Sequence, residues 1–308
     1  MSKSKYRIYP LLLLGFFRVA NIGMINLTIP IFFFQLGYSP GLIGIISASL
    51  NFVYIFSPLL FKNLPERIGN KASLVICLGA ITFFQLFYQF TNNPYIFILL
   101  RLLEGLMLGL FWPVLNSSLS ILTSLEKNKE GSKQNDLMGN KLIRKYSLSW
   151  NLGSVASFLI GSFLLFFVAN INLMFHISFI YIVICLILAL LFQEPKKNDY
   201  SNQEISLPTH SNVEIKKPKY IYYSIFLPLF IILMYGFLEH SNGLIYPLKY
   251  EILKIPLFIN YLSSFILITT QTIFTYTGMS ISLGKLKLFR KFNQFKFFLR
   301  NFYRRVNF

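Results

Sequence analysis

The sequence has 308 residues, of which 55% are apolar and 13% are charged, and its formal net charge is +18. A composition this apolar excludes an ordinary soluble domain. The basic residues alternate along the chain in a way that favours a membrane protein over a nucleic-acid-binding one. We therefore expect an all-α integral membrane protein.

Eight segments contain the roughly 20 mostly apolar residues that a helix needs to cross the hydrocarbon core of a bilayer. In chain order, the predicted spans are residues 8–36, 40–61, 71–91, 94–123, 145–168, 172–193, 220–247 and 256–281. A polar stretch rich in Lys, Asn, Ser and Pro separates the sixth span from the seventh, which predicts a linker. The predicted organisation is a six-span bundle over residues 1–193, a cytoplasmic linker over 194–219, two spans of a second, incomplete bundle over 220–282 and a tail over 283–308.

Lys and Arg fall in every second connection between the predicted spans, while the turns GYSPG, TNNP and ANIN carry no charge. By the positive-inside rule, both termini and the basic connections are cytoplasmic. The external turns are then expected near Tyr38, Asn93, Asn170 and Lys249. We expect a multi-pass protein of the cell membrane, with the lipid bilayer as its partner and without a nucleic-acid partner.

The two cysteines, Cys77 and Cys185, both fall inside predicted spans, and neither shows metal-ligand spacing. We expect no cofactor and no metal. The first span is longer than the apolar region of a cleavable signal and is expected to remain as an anchor. The basic tail has an apolar stripe at helical spacing, which fits either a cationic helix on the anionic cytoplasmic leaflet or an accident of coding.

The stretch LPERIGNK places a compact group of charges between the second and third predicted spans. Pro65 ends the preceding helix, and Glu66 is predicted to meet the positive end of the next helix dipole. Gly69 permits a tight backbone turn. Arg67 and Lys71 are suited to binding that carboxylate or a lipid phosphate.

This loop resembles the signature loop between the second and third spans of the major facilitator superfamily. The matching positions are Leu64, Arg67, Gly69 and Lys71, with Glu66 in place of an aspartate, while Lys62 and Asn70 depart from the pattern. RLLEGLMLGLFWP resembles the fourth-span motif of that family through Arg101, Gly105, Gly109 and Pro113. WNLGSVASFLIGS resembles its fifth-span glycine motif through Gly153 and Gly161, but Ser157 replaces a glycine and the proline typical of antiporters is missing.

The resemblance covers about residues 8–281 and implies a secondary transporter that moves a small solute, with or without a coupling ion, by a rocker-switch mechanism. The family fold has two six-span halves, whereas the spans predicted here make one half and two further helices. Two alternatives stay open: a truncated copy that inserts without transporting alone, and self-association that completes the missing half. In the family, the carboxylate at the Glu66 position latches against an eleventh span, which is not among the predicted spans.

Ionisable residues inside a membrane cost at least ~2.5 kcal/mol each and usually face a partner or a wet cavity. Arg18 and Glu104 each lie about ten residues into a span, or roughly 15 Å deep at 1.5 Å per residue. We expect them to form a pair or to share one substrate group. The other candidate cavity-lining residues are Asn21, Thr28, Arg101, Trp112 and Asn116, for which simple bonding between helices is the alternative. Small residues and a proline are expected to pack helices closely: Gly105, Gly109, Pro113, Gly153, Ser157 and Gly161.

Glu239 and His240 in the seventh predicted span are candidates for proton coupling. An intramembrane enzyme is a remote alternative, because the spans contain neither a His-Glu-x-x-His motif nor a pair of acids. We therefore predict that the protein is not an enzyme.

Overall fold

The computed structural model describes residues 8–127, 135–195 and 243–280. The secondary structure of these residues is entirely helical. The helices are α1 (Tyr9–Gln35), α2 (Pro40–Tyr54), α3 (Ser57–Phe61), α4 (Leu64–Ile68), α5 (Asn70–Tyr88), α6 (Pro94–Lys127), α7 (Asn135–Phe167), α8 (Asn172–Leu191), α9 (residues 243–252) and α10 (Leu257–Ser280). The chain divides into two compact units, residues 1–268 and 269–308, and the described part of the second unit is the C-terminal end of α10.

Seven helical segments among the described residues are long and apolar enough to cross a membrane. They are Tyr9–Gln35, Pro40–Phe61, Asn70–Tyr88, Pro94–Leu125, Arg144–Phe167, Asn172–Leu191 and Leu257–Phe274. The expectation of an all-α membrane protein is confirmed. Most of the predicted seventh span lies outside the described residues, and so do Glu239, His240, nearly all of the predicted linker and the whole predicted tail.

The second span is not one continuous helix, because it breaks between α2 and α3. Pro58 follows directly on the first residue of α3, and a proline lacks an N–H and clashes with the carbonyl one turn earlier. Ser57 uses its hydroxyl to donate to the carbonyl of Tyr54, at 3.2 Å, and to that of Gly105 in α6, at 3.3 Å. The break thus lets α3 follow the surface of α6.

The turns that join the spans are short and locally capped. Gly37 has φ +83° directly after α1, and the hydroxyl of Ser39 accepts the N–H of Leu42 at the start of α2. Asn93 Oδ1 accepts the N–H of Tyr95 at 2.9 Å. Near the turn expected at Lys249, α9 continues through residue 252, a turn follows at residues 253–254, and α10 begins at Leu257.

Two apolar clusters form the core of the bundle, and a layer of polar side chains separates them. One cluster includes Leu14 of α1 and Phe111 of α6, and the other includes Phe33 of α1 and Phe97 of α6. Arg18 of α1, Gln85 of α5, and Arg101 and Glu104 of α6 are buried and fall between the stretches that feed the two clusters. The polar layer therefore lies inside the bundle, away from both ends of α1 and α6.

Small residues allow the helices of the bundle to approach one another closely. A Cβ at Gly105 would overlap the backbone of Leu50, and one at Gly153 would overlap the backbone of Phe16. Gly109 faces Ser57 in the same way, and Gly161 faces the ring of Tyr261. Ser157 is buried, and its hydroxyl donates to the carbonyl of Ser154 at 2.8 Å. Pro113 is exposed and does not take part in this packing, because it lies on the side of α6 opposite the buried Phe111 and Leu115.

Candidate functional site

Four helices supply the polar layer at the centre of the bundle. Its side chains are Arg18 and Asn21 from α1, Gln85 and Tyr88 from α5, Arg101 and Glu104 from α6, and Ser178 from α8. The residues from α1, α6 and α8 lie more than one helical turn from the ends of their helices, whereas Gln85 and Tyr88 lie in the last turn of α5. Hydrogen bonds connect all of them into one network, which ties the four helices together.

Glu104 is the centre of this network. Its Oε1 accepts from Arg18 Nη2 at 3.2 Å and from Gln85 Nε2 at 2.8 Å. Its Oε2 accepts from Tyr88 OH at 2.8 Å and from Arg101 Nη1 at 3.3 Å. A carboxylate that accepts this many bonds is stabilised in its ionised form even where water is excluded.

Asn21 links the charged pair to α8. Its Oδ1 accepts from Arg18 Nη1, and its Nδ2 donates to the carbonyl of Ser178 at 2.8 Å. The amides of Asn21 and Gln85 also bond to each other, at 2.7 and 3.1 Å. The orientation of Arg18 is therefore determined by three helices besides its own.

The charged groups of the layer are shielded from solvent, but their charges do not cancel. Arg18, Arg101 and Glu104 are exposed by only 0%, 3% and 1%. Two guanidinium groups pair with one carboxylate, so the three groups together carry one excess positive charge when all are ionised. The Nε atoms of Arg18 and Arg101 find no hydrogen-bond partner among the residues that the structure describes.

One contact connects the sealed layer to an exposed surface. Arg101 Nη2 donates to Asn26 Oδ1 at 2.7 Å, and Asn26 is exposed on α1. A molecule that binds at Asn26 would therefore compete with Arg101 for the same oxygen. Asn26 is thus the exposed end of the described network.

The remaining predicted site residues lie apart from this network. Thr28 bonds to the carbonyl of Met24 at 2.7 Å and to the hydroxyl of Tyr261 in α10 at 2.6 Å. Trp112 is half-buried against Trp150 of α7, and Asn116 is exposed one turn further along α6. Of the seven predicted cavity residues, the structure brings together Arg18, Asn21, Arg101 and Glu104. A role of these residues in solute binding stays a prediction.

The loop between the second and third spans is organised by an acid from elsewhere in the chain. Glu194, just after α8, accepts the backbone N–H of Asn70 at 2.7 Å and that of Lys71 at 3.0 Å. Gly69, between α4 and α5, has φ +89°. The expected position of Glu66 at the start of the third span is wrong, because Glu66 lies in the first turn of the short helix α4 and is exposed. Leu64 and Arg67 also belong to α4.

Sequence reasoning missed Asn26, Gln85, Tyr88, Ser178 and Glu194 as partners of the predicted residues. Gln85 carried a usable signal, since an amide inside a span needs a partner as an ionisable group does. Tyr88 and Ser178 carried none, because both residue types are common in membrane helices. The described residues contain no group of three or more metal-ligating side chains.

These features define the protein as a polytopic helical membrane protein with a charged network sealed inside its bundle. The sequence matches the family model of the Major Facilitator Superfamily over residues 11–291. The chain therefore belongs to the major facilitator superfamily, a family of secondary transporters. No curated protein sequence matches it.

Two solved structures are similar to the chain at low sequence identity. One is a bacterial homologue of the human drug peptide transporters PepT1 and PepT2, with 14% identity, a TM-score of 0.48, and coverage of 82% of this chain and 50% of the other. The second is the POT family transporter PepTSo, with 16% identity, a TM-score of 0.47, and coverage of 85% and 54%. The chain thus spans about half the length of these structures.

Proposed function

We propose that the chain is a secondary active transporter that moves a small solute across the cell membrane by alternating access, with both termini in the cytoplasm. The family match supports transport, and one observation supports the site: a carboxylate and two guanidinium groups sealed among four helices, with one guanidinium reaching an exposed amide. Ionisable groups at this depth are costly and usually mark a solute or ion pathway.

The proposed mechanism begins at Asn26. A solute that hydrogen-bonds to this amide displaces Arg101, whose guanidinium then relies on Glu104 alone. Because Glu104 also holds Arg18 of α1, a shift in one ion pair changes the attachment of α6 to α1. Solute binding is in this way coupled to helix movement, which a transporter requires.

The contacts of α9 and α10 with the six-span bundle form the proposed external gate. Gln35 Nε2 donates to Glu251 Oε2 at 3.3 Å, and Ser162 Oγ donates to the carbonyl of Phe258 at 3.1 Å. The burial of Glu251 raises the pKa of its carboxyl group, while the bond from Gln35 opposes this shift. Opening toward the outside would break these contacts.

Uptake into vesicles tests the proposal. The purified chain would be reconstituted and offered sugars, amino acids, short peptides, organic anions and organic cations, with protein-free vesicles for comparison. We expect uptake of one class, reduced at least roughly tenfold in Asn26→Ala, since an unsatisfied buried donor costs about 1–3 kcal/mol. Asn172→Ala is the matched control, because this asparagine is exposed at the start of α8 and is not a member of the network. Uptake equal to that of protein-free vesicles for every class would overturn the proposal.

A further inference from the structure

The C-terminal half of α6 has an exposed face that does not suit lipid. The structure describes every side chain from Leu100 to Leu125. None of the large apolar side chains in this segment is exposed. As far as residue 125, the exposed residues of this half are Pro113, Asn116, Ser117, Ser120 and Ser124. Polar groups are costly against hydrocarbon, so a face of this kind is expected to meet water or a ligand.

The neighbouring helices show what a lipid-facing surface looks like in the same bundle. On α5, Phe83 is 58% exposed and Ile76 is 53% exposed, and on α8, Leu191 is 66% exposed. These faces are rich in large apolar side chains, as a membrane requires. Phe111 and Leu115 of α6 are buried in the apolar cluster that also contains Leu74 of α5, and the polar face lies on the opposite side of α6.

Both tryptophans of the chain lie at the edge of this polar face and contact each other. The ring centroids of Trp112 in α6 and Trp150 in α7 are 5.7 Å apart, with an angle of 52° between the planes. Trp150 is 45% exposed and Trp112 is half-buried. Asn116 follows Trp112 by one helical turn and Ser120 follows by two, so indole and hydrogen-bonding groups share one stripe.

The charges around this stripe favour an anion. The sequence has no acidic residue from Asn116 to Leu125 or from Arg144 to Phe167, and the acid that follows, Glu126, is offset by the adjacent Lys127. Lys145 is exposed at the start of the fifth span, five residues before Trp150. By the positive-inside rule, this end of the span faces the cytoplasm, where the basic connections of the chain gather.

We infer that Trp112, Trp150, Asn116 and Ser120 form a binding site for a small solute with a planar aromatic ring and an anionic group. The ring lies against the indoles, and Asn116 Nδ2 and Ser120 Oγ donate hydrogen bonds to the anion. The inference rests on the proposed function, because the bound molecule is the solute that the protein carries. The opposing explanation is that the two indoles anchor the protein at the lipid interface.

Tryptophan fluorescence tests the inference without any transport assay, since the chain has two tryptophans. The probe is para-nitrobenzoate, whose nitroaromatic ring quenches indole, with para-nitrobenzylammonium as its cationic counterpart. In Trp112→Phe and Trp112→Leu, Trp150 is the sole reporter. We expect saturable quenching by the anion in the wild type and in Trp112→Phe. Binding should be at least roughly fivefold weaker in Trp112→Leu, because the leucine removes an aromatic contact.

Further variants separate the solute site from a lipid anchor. Asn116→Leu should weaken binding of the anion, whereas Phe83→Leu, at an exposed aromatic position of α5, should not change it. Quenching that rises linearly with probe concentration, an equal response to the cation, or strong quenching of Trp150 by brominated lipid would each overturn the inference. If the protein takes up another class of solute but does not bind para-nitrobenzoate, the inferred site is overturned and the proposed function is not. Saturable binding without uptake of any solute would overturn the proposed function and leave the site in place.

Discussion

At the scale of single residues, the position of Glu104 between two guanidinium groups sets the charge balance of the buried layer. Glu104 pairs with Arg18 at 3.2 Å and with Arg101 at 3.3 Å. Removing Arg18 leaves Arg101 and Glu104 as a neutral pair. Removing Glu104 leaves two guanidinium groups without a counter-charge. The two substitutions therefore differ in cost, although each breaks the same ion pair.

We predict that Glu104→Leu destabilises the folded protein by ~3–5 kcal/mol, the cost of leaving buried charge uncompensated, and that Arg18→Met costs clearly less. The double variant Arg18→Met with Glu104→Leu should still fall short of the wild type, because Arg101 remains buried and unpaired. Thermal unfolding in detergent, measured for the two single variants and the double variant side by side, checks this order. Equal losses for the two single variants would contradict the charge balance that we describe.

The charged members of the layer could be predicted from the sequence, and the neutral members could not. Arg18 and Glu104 are conspicuous because the bilayer penalises ionisable groups, and counting residues from the span ends places both at the same depth. Tyr88 and Ser178 are uncharged and belong to residue types that are common in membrane helices. Their roles depend on which helices pack against each other. The spacing of residues along one helix contains no information on the packing between helices.

At the scale of helices, the N-terminus of α5 is capped by Glu194, an acid from the end of α8. The bidentate contact with the N–H groups of Asn70 and Lys71 neutralises the positive end of the helix dipole. It also attaches the charged loop to the residues directly after the sixth span. Gly69 is needed here, because its φ is +89° and a Cβ would lie 3.0 Å from Glu194 Oε2.

We predict that Glu194→Gln weakens this cap by ~1 kcal/mol, because an amide retains only one acceptor oxygen for two N–H groups. Hydrogen exchange at the amides of Asn70 and Lys71 should become faster. Glu66→Gln is the control: it removes the same charge three residues before Gly69, at an exposed position. If the control variant accelerates exchange at these amides as much as Glu194→Gln does, the cap is not the contact that protects them.

The helices themselves were largely predictable, because a bilayer demands long apolar segments and the chain supplies them at regular intervals. Local breaks were harder to predict. Pro58 interrupts the second span, which the hydropathy pattern presents as continuous. Glu194 was missed because it lies 124 residues from Asn70 in the chain.

At the scale of the whole molecule, the uncharged turns and the basic connections imply a defined orientation. We predict that single cysteines at Tyr38, Asn93 and Asn170 react with an impermeant thiol reagent applied from outside, and that a cysteine at Lys62 does not. The native Cys77 and Cys185 are both buried and should give little background. Labelling of the Lys62 position from outside in intact cells would reverse the orientation.

The family and the order of the spans could be predicted from motifs and hydropathy, whereas the contacts between α9, α10 and the bundle could not. Gln35 and Glu251 are 216 residues apart and show no pattern that would join them. In the sequence pattern of α10, Tyr261 occupies an apolar position. Its hydroxyl nevertheless forms a hydrogen bond with Thr28, and its ring lies against Gly161. Contacts of this kind determine which side of a transporter is closed.

The central claim, transport by alternating access, is tested most directly by locking the proposed external gate. Gln35→Cys and Glu251→Cys would be combined and joined with a short, reducible thiol cross-linker, and solute uptake would be measured before cross-linking, after it, and after reduction. We predict that cross-linking abolishes uptake and that reduction restores it, while treatment with the cross-linker leaves uptake by either single cysteine variant unchanged. Uptake that continues at full rate in fully cross-linked protein would contradict this prediction.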